Sequence, residues 1–195
     1  AGKPTVYISF FMGPHVQAAP YCGWNLDDVQ LVGGQADMAE IILECPQTDI
    51  QVGQVFEVKV YVQENVAEAA GFLGGTIDFD YPAAMMNYEG SFRLDWIVQQ
   101  PFTLLRSGSL TAGKIRSLGG LTTASGHGDG VPVLLAVLRF RATQAGVAEF
   151  TAAAGAAGFA LSSPVGQIGN WRVAPVAPLQ VPIDPFVAEP LAYVT

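Results

Sequence analysis

The stretch VFEVKVYV, Val55–Val62, carries an apolar residue at every second position. Phe56, Val58, Val60 and Val62 then share one face, and Glu57, Lys59 and Tyr61 the other. Only an extended backbone sends alternate side chains to opposite faces, so this spacing excludes a helix and requires a sheet with one face buried. The pattern recurs in Gly71–Tyr81 (GFLGGTIDFDY), where Ile77, Phe79 and Tyr81 oppose Thr76, Asp78 and Asp80 and Pro82 ends the run. It recurs again in Leu134–Ala142, with Leu134, Ala136, Leu138 and Phe140 on one face and Arg139 and Arg141 toward solvent. Ala39–Glu44 and Val147–Thr151 are shorter strands of the same kind, and Phe92–Val98, Thr103–Arg106 and Lys114–Leu118 are weaker ones. No segment sustains an apolar stripe at helical spacing, so little helix is expected. Short strands with Gly/Pro turns at roughly 8–12-residue intervals indicate an all-β sandwich or jelly roll.

The chain of 195 residues is long enough for one domain with a sizeable core. Half of it is hydrophobic, yet only 13% is charged, against roughly 25% in an average soluble domain. Two explanations stand: a surface largely covered in use, or a domain merely rich in Ala and Gly. A net charge of −8 with nine scattered Lys and Arg excludes a nucleic-acid partner and disfavours anionic membrane surfaces. The charge-free run Phe150–Trp171 is mostly Ala and Gly and contains Pro164, which is not the pattern of a membrane span. A first residue Ala1 in place of Met is the pattern of a product matured by signal cleavage, so an extracellular or cell-surface location is expected.

Catalytic chemistry finds little support. The two histidines, His15 and His127, stand apart from any nucleophile elbow or Cys–His arrangement. Neither they nor Cys22 and Cys45 have zinc-ligand spacing, so no metal and no cofactor is expected. Asp27-Asp28 and the Asp78/Asp80 pair read most simply as solvated carboxylates. SGHGDG, Ser125–Gly130, lacks the Lys and helix of a phosphate loop. Trp24, Trp96 and Trp171 would serve as a sugar-stacking platform if exposed, and otherwise as core or interface anchors. The reading is therefore a non-enzyme.

Three runs in order resemble the cohesin family: IQVGQVFEVKVYVQ (Ile50–Gln63), GFLGGTIDFDYPAAMMNYEG (Gly71–Gly90) and VPVLLAVLRFRATQAGVAEFT (Val131–Thr151). The first is similar to a Val-Gly turn feeding an alternating strand. The second resembles a Gly-led strand ending in an aspartate/aromatic/proline corner, and the third a buried strand followed by a glycine turn and another strand. The resemblance spans roughly residues 39–185. It implies a nine-stranded jelly-roll sandwich, non-catalytic and extracellular, that binds dockerin modules through a flat sheet face. Relatives in the broader superfamily bind polysaccharide. On this reading Thr76, Asp78, Asp80, Arg139 and Arg141 are the candidate partner-binding face.

The chain departs from that pattern at its ends. Residues 1–38 form an arm before the sandwich, and 186–195 a C-terminal extension. Within the arm, Thr5–Met12 alternates Val6, Ile8, Phe10 and Met12 against Thr5, Tyr7, Ser9 and Phe11. Burial of four side chains barely offsets the entropy of ordering eight residues, so such a strand needs a receptive edge as well. That edge belongs to its own chain or to a neighbouring copy, and donation between copies would build a fibre or layer. The primary expectation is thus a structural subunit assembling with copies of itself; a dockerin-type partner and a polysaccharide are the alternatives. Cys22 and Cys45 either form a disulfide, closing a loop worth roughly 3 kcal/mol, or stay as buried thiols. The prolines of the tail, Pro175, Pro178, Pro182, Pro185 and Pro190, argue against a central strand there and for an extended edge or polyproline-like arm, or else a linker.

Overall fold

A computed structural model describes residues 38–64, 72–122, 130–161, 172–174 and 176–187. These residues form an all-β sandwich of two sheets. β1 (Met38–Glu44), β2 (Ile50–Gln51), β3 (Val55–Glu64), β4 (Phe72–Asp80) and β5 (Met86–Tyr88) precede a four-residue helix, α1 (Leu94–Ile97). β6 (Arg106–Thr111), β7 (Lys114–Leu121), β8 (Val133–Ala142), β9 (Gly146–Leu161), β10 (Arg172–Val173) and β11 (Leu179–Asp184) follow. One sheet has the order β10-β1-β3-β8-β5 and the other β2-β11-β9-β4-β7-β6. Eleven strands, two of them of two residues each, are formed among the described residues.

The alternating residues are the core. Phe56, Val58, Val60 and Val62 on β3, Ile77 and Phe79 on β4, and Leu138 and Phe140 on β8 are all buried. Phe140 is the hub of an aromatic cluster drawn from both sheets. Its ring centroid lies 4.9 Å from Tyr81, 5.5 Å from Phe150, 5.8 Å from Tyr88, 6.0 Å from Phe56 and 6.2 Å from Phe79. Tilted, edge-on and, for Phe79, stacked rings at these separations add to the gain from burial.

Three expectations change. Phe92–Val98 is not a strand: Leu94–Ile97 forms α1, with Ile97 and then Val98 buried while Asp95 and Trp96 face outward. The spacing of Leu94 to Ile97 and Val98 suits one helical turn as well as a strand. The run after Gly146 continues well past Thr151, as β9 reaches Leu161, because Ala and Gly pair along a sheet without patterning it. Thr103–Arg106 is not a strand: 103–105 are coil and bend, and β6 begins only at Arg106. The tail keeps the edge character that its prolines indicate: β11 pairs antiparallel with β9 from Leu179 to Ile183. On its other side only Ile183 and Asp184 meet β2, so Pro182 sits in a strand that is open along most of one side, where proline is tolerated.

Candidate partner-binding face

The sandwich separates the five residues expected to share a face. Thr76, Asp78 and Asp80 lie on β4, in the six-stranded sheet, whereas Arg139 and Arg141 lie on β8, in the five-stranded sheet. Both sets alternate with core residues, and the core lies between the sheets, so the two sets point away from each other. Alternation assigns a residue to a face of its own strand but says nothing about which strands share a sheet. That pairing is tertiary.

On the six-stranded sheet, β4 pairs with β7 through a bulge. The register runs from Ile77↔Leu118 to Phe79↔Ile115, so Arg116 and Ser117 together stand opposite Asp78. Ser117 has a φ of 51°, in the left-handed region that one class of bulge uses. Its backbone N–H donates to Asp78 Oδ1 at 2.8 Å, and its carbonyl accepts from Ser107 Oγ on β6 at 2.7 Å. Arg116 Nη1 lies 2.5 Å from Asp80 Oδ1, and its Nε is 4.0 Å from Asp78 Oδ2. The Asp80 carboxylate against it holds the Arg116 guanidinium pKa above its ordinary value. A polar network therefore crosses β4, β7 and β6. Beside it on β9, Ala153 is registered with Asp78 and Thr151 with Asp80, so the surface stays low and flat.

Thr76 does not join that surface. Between Ile77 and Gly75 on β4, the partner on β9 jumps from Ala154 to Phe159, setting four β9 residues opposite Thr76 alone. A Cβ added at Gly155 would stand 2.6 Å from Thr76 Oγ1, so the β9 backbone lies directly against the hydroxyl. Thr76 is 8% exposed. The register shift in β9 that buries it leaves no sign in the local sequence of β4.

Arg141 is engaged in the fold. Its Nε and Nη2 donate to the Glu89 carboxylate at 2.9 and 2.8 Å, and Nη1 donates to Gly53 O at 2.8 Å. The side chain thus ties the end of β5 to the β2–β3 turn. Arg139 is looser, with Nε 3.8 Å from Glu57 Oε1.

Other expected sites are placed as follows. Val6, Ile8, Phe10, Met12 and Cys22 lie outside the described residues, as do His15, His127, Trp24 and Trp171. Cys45 carries a free thiol whose Sγ donates to Gln47 O at 3.5 Å, and burial raises its pKa. Trp96 is 65% exposed. Among the described residues, no group of three or more His, Cys, Asp or Glu could hold a metal, and no helix is long and apolar enough to cross a membrane. Sequence reasoning missed two surface features. Leu104 and Leu121 join across the start of the β6–β7 hairpin, where Leu104 N–H donates to Leu121 O at 2.9 Å and Leu121 N–H donates to Leu105 O at 3.0 Å. All three leucines are exposed. The second feature is the packing of Arg93 on Trp96.

No protein-family model and no curated protein matches the sequence. Solved structures do match in fold. The seventh ScaB type I cohesin of Pseudobacteroides cellulosolvens is 16% identical with a TM-score of 0.56, the match covering 81% of this chain and 98% of that one. A cohesin module from a family 33 glycoside hydrolase of Clostridium perfringens is 13% identical with a TM-score of 0.55, covering 77% and 99%. The Coh-OlpC module of Clostridium thermocellum, solved in a type I cohesin–dockerin complex with Doc435, is 13% identical with a TM-score of 0.54, covering 77% and 97%. At such identities the likeness is one of fold, and the fold of this chain is that of a cohesin module.

Proposed function

We propose that the chain is a non-catalytic binding module that takes a dockerin-type partner on the outer face of its six-stranded sheet. The observation that supports this reading is the network Asp80–Arg116–Asp78–Ser117–Ser107, laid across three strands of a flat face in a cohesin fold. The network holds its charged groups in fixed positions while Ala153 and Thr151 keep bulk away, which suits a rigid protein surface. The cohesin of the Doc435 complex binds a dockerin, and the same class of partner is carried here as part of the proposal. An extracellular location belongs to the same reading.

The test is calorimetric titration of the chain with a panel of type I dockerin modules. Arg116→Glu should abolish binding, and Arg139→Glu, on the opposite sheet, should leave it unchanged. Binding lost through Arg139 alone, or no dockerin bound at all, refutes the assignment.

A second reading, assembly of copies through Val6, Ile8, Phe10 and Met12, has one observation in its favour. β10 pairs only with Met38 and Ala39, so Ile41–Glu44 of β1 have no strand partner on that side among the described residues. An open edge of this kind can accept a strand. Deleting residues 1–13 would convert any filaments to monomers on that reading; filaments surviving the deletion exclude it.

A further inference from the structure

We infer that residues 155–158 of β9 are a flap that opens over Thr76 and adds its hydroxyl to the partner-binding face. On either side of this segment β9 is registered with β4, Ala154 with Ile77 and Phe159 with Gly75. The single β4 residue between those pairs is Thr76, so the β9 chain is longer here than the ladder needs. Most bulges set only two residues against one. The segment reads Gly155-Ala156-Ala157-Gly158, beginning and ending on the residue whose backbone turns most freely.

The segment covers a group that gains nothing from its cover. Thr76 Oγ1 is buried and has no hydrogen-bond partner among the described residues. A hydroxyl buried without a partner is a standing cost, and it is relieved as soon as the cover lifts. The contact is close: a Cβ added at Gly155 would stand 2.6 Å from Thr76 Oγ1 and 3.1 Å from Thr76 Cβ. On the other flank Thr76 is registered with Gly119 of β7, which has no side chain to lay over it.

The position of Thr76 gives the opening a consequence. Alternation along β4 puts it on the side that carries Asp78, and on the side of Gly74, where an added Cβ would stand 2.5 Å from Leu121 Cδ2. Thr76 therefore lies between the Asp78–Arg116 network and the exposed Leu121. With the flap lifted, a hydroxyl that both donates and accepts stands in the middle of that stretch. A partner that bonds this hydroxyl selects the open state, and its apparent affinity falls with the fraction of molecules that are closed. The role in partner binding rests on the proposed function; the opening itself does not.

Native-state thiol labelling of the full chain tests the opening. Thr76→Cys and, as a core control, Val58→Cys, at a fully buried position, are treated with iodoacetamide across low urea concentrations, and the labelled peptide is identified by mass. Local opening exposes little surface, so the thiol at position 76 should react at least about tenfold faster than the control and respond little to urea. The core thiol, reached through global unfolding, should accelerate steeply. Gly155→Ala gives a second measurement without an added cysteine. Its Cβ is accommodated if the flap lifts, so its melting temperature should fall far less than that of Gly119→Ala, whose Cβ meets the Gly75 carbonyl. A thiol at position 76 as slow and as urea-dependent as the control overturns the proposal, and so does a Gly155→Ala variant as unstable as Gly119→Ala. In the dockerin titration Thr76→Val should weaken binding about 2–10-fold; equal affinity overturns the hydroxyl's role. Opening with no dockerin bound upholds the flap and refutes the proposed function instead.

Discussion

Replacing Phe140 by Ala tests whether the two sheets are joined where the ring geometry places the joint. Phe140 is fully buried, and five aromatic rings lie within 6.2 Å of its centroid, supplied by both sheets and by Tyr81 just after β4. Removing a buried Phe side chain costs about 3–5 kcal/mol from lost transfer energy and the cavity left behind. Each aromatic pair contributes about 0.5–1.5 kcal/mol beyond its area. The loss should therefore fall in the upper part of the range, about 4–5 kcal/mol. For a chain of this size that lowers the melting temperature by about 8–20 °C. Phe140→Leu keeps most of the volume and should cost only about 1–2 kcal/mol. Urea unfolding followed by tryptophan fluorescence measures both, with an unchanged m-value confirming that the same surface unfolds. An Ala variant within about 1 kcal/mol of the parent would refute the hub, since no buried Phe of this environment is that cheap to remove.

Three further outcomes follow from the geometry. The carboxyl of Glu89 is held below its usual pKa, chiefly by its hydrogen bonds from Arg141. A depressed carboxylate stabilises above its unfolded pKa and loses that contribution as pH falls through the folded value. The parent should thus exceed Glu89→Gln in stability near neutral pH, and the gap should shrink as pH falls below the ordinary carboxylate pKa and vanish below the depressed folded one; a gap that widens in acid contradicts the pairing. Iodoacetamide should modify Cys45 more slowly than a free cysteine at neutral pH, because burial raises the thiol pKa and depletes the thiolate; a rate at or above that of free cysteine counts against it. Gly119→Ala should destabilise by at least about 2 kcal/mol in the same urea assay. Its Cβ would drive into the Gly75 carbonyl on β4, where backbone cannot swing aside; an unperturbed variant would mean the β4–β7 ladder is more open than described.

Much of the architecture is already legible in residue order. Phe56, Val58, Val60, Val62, Ile77, Phe79, Leu138 and Phe140 identify themselves as core by period two alone, since a strand can bury only every second side chain. Where the period fails, local reading fails with it. Leu94–Ile97 is too short for a helical stripe to emerge, and the Ala- and Gly-rich half of β9 has no polar residues to mark its outward face.

The candidate face was legible only in half. Asp78 and Asp80 point outward on β4 as their spacing demands, but their partner Arg116 comes from β7 and reaches them through a bulge at Ser117. Arg139 and Arg141 have the same outward alternation and sit on the far side of the molecule. Spacing along a chain fixes the direction of each side chain relative to its own strand. Which strands become neighbours, and so which outward residues meet, depends on hydrogen-bonded pairing between segments dozens of residues apart. Asp78 therefore comes to lie beside Ser117, while Thr76, two residues from Asp78, is covered by a shift in the register of β9.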